Sequence, residues 1–206
     1  MDCLLNEVQD ALITVFAEPQ NRERENPSIK EKEMALSKTE SRQSAGFMRV
    51  NHTGEVCAQA LYRGQAWCAR DTAVSQFLAQ AVHEEQDHLV WCHQRLNELK
   101  SHRSFLNFYW YTHSFFLGFL AGRIGDGWSL GFIEETEVQV SRHLQRHIKN
   151  LSLKDEKSRA IIDQMNKDEA KHAETAKQLG AHGLPNWTKE LMRMHSKVMT
   201  TLAYWV

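Results

Sequence analysis

The sequence predicts an all-α fold, a four-helix bundle carrying additional helices, on three observations. Only three prolines, Pro19, Pro27 and Pro185, and ten glycines punctuate the 206 residues, so long segments run without a breaker. Alternation of β-branched residues is scarce. From Phe47 onward, apolar residues recur at helical spacing, with turn and capping residues between successive runs.

Composition narrows the class further. With 42% hydrophobic residues and a net charge of -1, the chain can build one domain with a substantial core and has no need of disulfides. Cys3, Cys57, Cys68 and Cys92 form no C-x-x-C pair, and three of them fall within helical patterns, a usage that suits a reducing cytoplasm. Near-neutral charge and the lack of a basic block argue against nucleic acid as a partner, because phosphate binding draws on clustered Lys and Arg. The opening "MDCLLNEVQDALITVFAEPQ" has acids where a secretory signal needs positive charge, and its apolar residues are spaced for an amphipathic helix.

Residues 1–46 are expected to form this N-terminal helix and a charged linker, and 47–206 the main domain. Within the first part, residues 18–44 combine charge, polarity and two prolines, the composition of a solvated connector. Helices are expected near 47–69, 73–100, 105–122, 128–150, 155–179 and 187–204. The breaks fall at "RDT", "KSHRS", "GRIGDGW", "NLSLKD" and "GAHGLPNW".

Acids placed on apolar faces carry the functional signal. Glu55 shares a face with Met48, Ala58 and Tyr62. Glu85 and His88, an E-x-x-H pair, lie in the stripe of Leu78, Ala81, Val82, Leu89 and Cys92. Glu169 and His172 repeat the pair among Ile162, Met165, Ala173 and Ala176. Glu137 shares its face with Leu130, Ile133, Val140 and Leu144, whereas Glu134 and Glu135 lean toward the margin. A buried, unpaired carboxylate costs several kcal/mol or takes up a proton, so either these faces are wet or the acids have partners.

Spacing supplies the partners. Glu55 precedes Glu85 by 30 positions and Glu137 precedes Glu169 by 32, with a turn near each midpoint, at Asp71 and Leu153. In an antiparallel hairpin, residues equidistant from the turn lie level. Each hairpin thus sets a single Glu beside an E-x-x-H pair, and four inward-facing helices would enclose four carboxylates and two imidazoles. Two divalent cations would remove the repulsion, with two Glu bridging, two terminal, and one neutral His on each ion. This is the arrangement of ferritin-like di-iron carboxylate proteins. Oxygen-rich coordination with one imidazole per ion suits iron or manganese better than zinc or copper.

A metal-bound imidazole normally donates its free N–H to an acid. Asp168 and Glu84, each immediately before an E-x-x-H glutamate, could reach the histidine of the opposite hairpin; two acids on a solvated edge are the alternative. His52 and His143 are placed near the centre, where a hydrogen bond to a ligand would suit either and a satisfied core histidine is the favoured alternative. His93, His102, His147, His182 and His195 are expected at the surface or in linkers, and His83 packed or partly exposed. Small residues near the ligands, Ala58, Ala81 and Ala173, would leave room for an aromatic head group.

The phrases "RVNHTGEVCAQALYRGQ", "HEEQDHLVWC", "TEVQVSRHL" and "DEAKHAETA" resemble the Coq7 family, the demethoxyubiquinone hydroxylases of ubiquinone biosynthesis, from about Met48 to His182. The resemblance implies a di-iron monooxygenase that uses O₂ to hydroxylate the ring of a polyprenylated methoxy-benzoquinol, at the cytoplasmic side of a bacterial inner membrane. It also implies that Glu55, Glu85, His88 and Glu169 bind one iron, and Glu85, Glu137, Glu169 and His172 the other. The ligand set alone is equally that of another di-iron oxygenase or a ferroxidase. A non-enzymatic, membrane-associated helical module is a third reading.

A hydrophobic substrate requires a route from lipid. The segment "FLNFYWYTHSFFLGFLAG", 105–122, is the most apolar and aromatic of the chain, but Asn107, His113 and its clustered rings make it a poor bilayer span, and an interfacial position fits better. The last helix could extend that surface through Trp187, Leu191, Met194, Val198, Leu202 and Trp205; burial in the bundle is the alternative for both. The expected partners are therefore the polyprenylated quinol and a peripheral membrane surface, with delivery by a lipid-binding protein left open.

Overall fold

The computed structural model describes residues 2–19, 23–32 and 34–206, with residues 2–4 described by their backbone alone. Its helices are α1 (Asp2–Phe16), α2 (Lys38–Ala66), α3 (Thr72–Glu98), α4 (Asn107–Ile124), α5 (Asp126–Asn150), α6 (Glu156–Gln178) and α7 (Asn186–Trp205), with a 3-10 turn at Pro27–Lys30. There is no strand among the described residues. α2 with α3 and α5 with α6 make two hairpins, and α4 is the long connection between them. This is the four-helix architecture with one crossover, the ferritin-like bundle, with α1, α4 and α7 added outside it.

The bundle core consists of two apolar layers. Met48, Trp91, Cys92, Leu96, Leu144, Ile161, Ile162 and Met165 form one. Leu61, Tyr62, Leu78, Ala81, Leu130, Ile133 and Ala176 belong to the other. On all four helices the candidate ligands fall in the sequence interval between the two, so the acids occupy a polar slab between greasy ones.

α2 starts nine residues before the expected Phe47. The phrase "SKTE" is a capping box: Ser37 accepts a hydrogen bond from the Glu40 N–H, and Glu40 Oε2 accepts one from the Ser37 N–H at 2.8 Å. Residues 38–46 therefore belong to a bundle helix and not to the linker. Residues 23–31 of that linker are no free connector either. Asn26 and Ser28 are buried, and Asn26 Nδ2 donates to Gln94 Oε1 on α3 at 2.7 Å. We call residues 23–31 the strap.

α4 divides its surface between the two expected alternatives. Its inner side presses on α2 so closely that a Cβ at Gly118 would overlap the Leu61 carbonyl oxygen, and one at Gly64 the Phe115 carbonyl oxygen. Trp110 and Tyr111 are buried, while Phe108, Tyr109, Phe116, Leu120 and Ile124 are exposed. α7 behaves likewise. Met199 and Ala203 pack with Val50 and Trp110, and Arg49 of α2 fixes its end by donating to the Tyr204 carbonyl at 2.6 Å. Trp187, Leu191, Met194, Val198, Leu202 and Trp205 face outward. No helix among the described residues is long and apolar enough to cross a membrane.

Candidate metal centre

Helical register brings the six predicted residues to one level, all of them buried: Glu55 from α2, Glu85 and His88 from α3, Glu137 from α5, and Glu169 and His172 from α6. Their donor atoms form two overlapping groups, Glu55, Glu85, His88 and Glu169, and Glu85, Glu137, Glu169 and His172. Within each group, one atom per residue lies within 4.8 Å of all the others. Glu134 and Glu135 stand apart, Glu135 pairing with Lys189 on α7 at 2.9 Å.

The shared acids divide their oxygens between the groups. Glu85 turns Oε2 to His88 Nδ1 at 3.0 Å and Oε1 to His172 Nδ1 at 3.3 Å. Glu169 turns Oε1 to His88 Nδ1 at 3.4 Å and Oε2 to His172 Nδ1 at 3.2 Å. A carboxylate bridging two cations needs this division. Glu137 Oε1 is buried with no hydrogen-bond partner, and Glu85 Oε1 lacks hydrogen-bond geometry with its imidazole neighbour, so lone pairs are left for a cation. The donor set suits a pair of hard divalent ions.

By themselves, the six side chains must share protons. Burial, and then the Glu85 charge, pushes the Glu55 carboxyl well above the usual range; burial and the Glu169 charge do the same to Glu137. Burial opposes charge on Glu85 and Glu169 as well. It is outweighed by a hydrogen bond from Glu55 to Glu85 and by the imidazoles, which leave both acids below their ordinary values. Burial also disfavours a charged His88 or His172, yet the surrounding carboxylates raise both imidazoles far above normal. A cation placed there would replace those protons.

The outer nitrogens of the two histidines meet the acids foreseen for them. His88 Nε2 lies 2.9 Å from Asp168 Oδ2, and His172 Nε2 lies 3.0 Å from Glu84 Oε2, each across to the other hairpin. With Nε2–H held outward by its acid, each imidazole would offer Nδ1 inward to a cation once the proton there is displaced. Arg24, which the sequence reading passed over, joins this layer. Its Nη1 donates to Asp168 Oδ2 at 2.7 Å, its Nε donates to Asp87 Oδ2 at 2.9 Å, and its guanidinium covers the Trp91 ring at 4.9 Å. Neither of the two arginines in "NRERENP" offered a spacing signal.

The other histidines meet expectation in part. His52 is fully buried and His143 half-buried, and burial holds them neutral, lowering them to about 3 and about 4. Neither hydrogen-bonds a ligand. His147 is not at the surface: it is buried, bonds Asn51 Oδ1 at 2.9 Å and packs on Phe47, with burial lowering it to about 2. His83 is exposed.

A cavity of about 440 Å³ lies beside the centre between α2, α4, α5 and α7. Gly54 and Thr136, which precede Glu55 and Glu137, line it together with Ala58, Leu117, Val140 and Met192. Of the three small residues expected to leave room, only Ala58 does so. Ala81 is packed in the core, and Ala173 does not line the cavity. The contribution of α7 was not legible, because helical periodicity does not say where a seventh helix docks.

The family model described as "Ubiquinone biosynthesis protein COQ7" matches residues 42–203, a span that contains all six clustered residues. The chain belongs to the COQ7 family. Proteins named 3-demethoxyubiquinol 3-hydroxylase resemble it along nearly its whole length. One from Nitrosococcus oceani is 50% identical over 206 residues, 100% of this chain and 96% of its own. Another, from Coxiella burnetii, is 52% identical over 198 residues, 96% of this chain and 92% of its own. One from Xanthomonas oryzae pv. oryzae is 50% identical over 204 residues, covering 99% and 94%. COQ7 is a ferritin-like helical family, in agreement with the bundle described above.

Proposed function

We propose that this chain is a di-iron monooxygenase of ubiquinone biosynthesis that hydroxylates the ring of a polyprenylated demethoxyubiquinol, the reaction in the name its relatives carry. The observation that carries the reading is the pair of overlapping, fully buried donor groups beside an apolar cavity. Glu85 and Glu169 would bridge two irons, Glu55 and Glu137 would be terminal ligands, and His88 and His172 would each bind one ion through Nδ1. A pair of ferrous ions supplies the electrons and Lewis acidity with which O₂ can be cleaved and one atom passed to an electron-rich ring.

The protein contributes position and dryness. Asp168 and Glu84 keep the imidazoles in one tautomer and orientation. The cavity holds the ring against the Glu55 and Glu137 side of the centre and excludes water, while Ser114, Gln139 and His195 offer polar contacts to ring oxygens. Leu191 both lines the cavity and is exposed on α7, so an isoprenoid tail would leave along that helix. The exposed apolar faces of α4 and α7 support peripheral attachment to the cytoplasmic side of a bacterial inner membrane, where such a substrate resides. A lipid-binding protein that hands over the quinol would meet the same faces. The quinone content of cells lacking the protein tests the reading: demethoxyubiquinol should accumulate and ubiquinol fall, and an unchanged profile would reject it.

A further inference from the structure

We propose that Arg24 is a positioning residue for His88, and that the strap makes the two halves of the metal centre unequal. The inference rests on the metal-centre reading given above.

The two histidines are held almost alike. Each directs Nε2 at an acid from the opposite hairpin, and each acid also accepts from a glutamine four residues before it: Gln164 to Asp168 at 3.0 Å, and Gln80 to Glu84 at 3.1 Å. The difference lies in the cation behind the acid. Among the described residues, Glu84 has only the exposed Lys171 ammonium, 3.7 Å away. Asp168 has the Arg24 guanidinium at 2.7 Å, on the same Oδ2 that receives the His88 proton, with Arg24 Nη2 only 3.4 Å from the imidazole itself.

Asp87 shows that this contact is built in. Its side chain is 3% exposed, and its hydrogen bonds come from the strap, from the Glu23 N–H at 2.8 Å and from Arg24 Nε at 2.9 Å. A buried carboxylate next in sequence to His88 is tolerable only with such partners. The planar guanidinium spans Asp87 on α3 and Asp168 on α6 at once, which the single ammonium of a lysine could not do with the same geometry. Arg24 thus fixes where Asp168 stands and draws charge from the oxygen that orients His88. Among the described residues, His172 has no counterpart. Arg24 also lies outside residues 42–203.

The test loads the full-length protein anaerobically with ferrous iron and follows two readouts: the Mössbauer spectrum, and the rate at which a ferrous chelator extracts each ion. In R24Q, one of two iron signals should shift and one of two extraction phases should speed up about ten- to a hundredfold, the usual range for loss of an outer partner. R24K should fall between R24Q and the unaltered protein, and E84Q should disturb the other signal. Identical behaviour of R24Q and the unaltered protein, or equal disturbance of both irons, would overturn the inference; if R24Q does not fold, R24K decides in the same way. Failure of the unaltered protein to bind iron would instead overturn the metal-centre reading on which it rests.

Discussion

Glu85 and Glu169 direct one oxygen to each imidazole, and this division makes them the bridges of the proposed centre. Glu85→Ala should therefore lose both irons, as measured by metal analysis of the purified variant; full occupancy would refute the assignment. Glu137→Ala should lose iron while Glu134→Ala keeps it, the reverse outcome meaning a register wrong by about one turn. The raised His88, His172, Glu55 and Glu137 groups hold protons that iron must displace. Iron binding should release protons, and affinity should fall as pH falls, a trend checked by titration calorimetry in buffers of different ionisation enthalpy. These ligands were legible because a charged residue at apolar spacing is costly and so informative. His147 carried the same signal, three residues after Leu144 and seven after Val140, but a histidine costs little to bury when neutral and was set aside as surface.

Among the elements, the α2–α3 and α5–α6 hairpins could be read because each turn sits midway between matched acids. Their mutual docking has its own buried lock. Arg95 on α3 is 1% exposed and donates to Asp155 Oδ1 at 2.8 Å and to Ser158 Oγ at 2.9 Å at the start of α6. Arg95→Met should cost about 3–5 kcal/mol in urea unfolding, because it leaves Asp155 buried without its cation; a loss under about 1 kcal/mol would show that the ion pair is dispensable. The early start of α2 was written in "SKTE" but masked by the charged composition around it. For α4, hydropathy alone could not choose between lipid and core, since the helix serves both. Gly118 and Gly122, four residues apart, were the signal for a close approach to α2.

For the molecule as a whole, fold class and bundle order followed from periodicity and spacing, whereas the docking of the strap and α7 depends on tertiary contacts that no local pattern encodes. Together α1, α4 and α7 leave apolar rows uncovered, with Phe16 of α1 stacked on Phe108 of α4 at 6.0 Å. Large exposed patches of this kind mark interaction surfaces. The protein should float with lipid vesicles yet yield no protease-protected spanning peptide, and Leu191→Glu combined with Val198→Glu should reduce flotation; a protected fragment would contradict peripheral attachment. Transfer of oxygen from O₂ to a quinol ring is the chemistry proposed for the centre. Iron-loaded, reduced protein should be given a short-chain demethoxyquinol under ¹⁸O₂ and the product weighed. One labelled oxygen atom should appear in the hydroxylated ring, and O₂ consumption by fully loaded protein with no label in the ring would contradict hydroxylation in favour of ferroxidase chemistry.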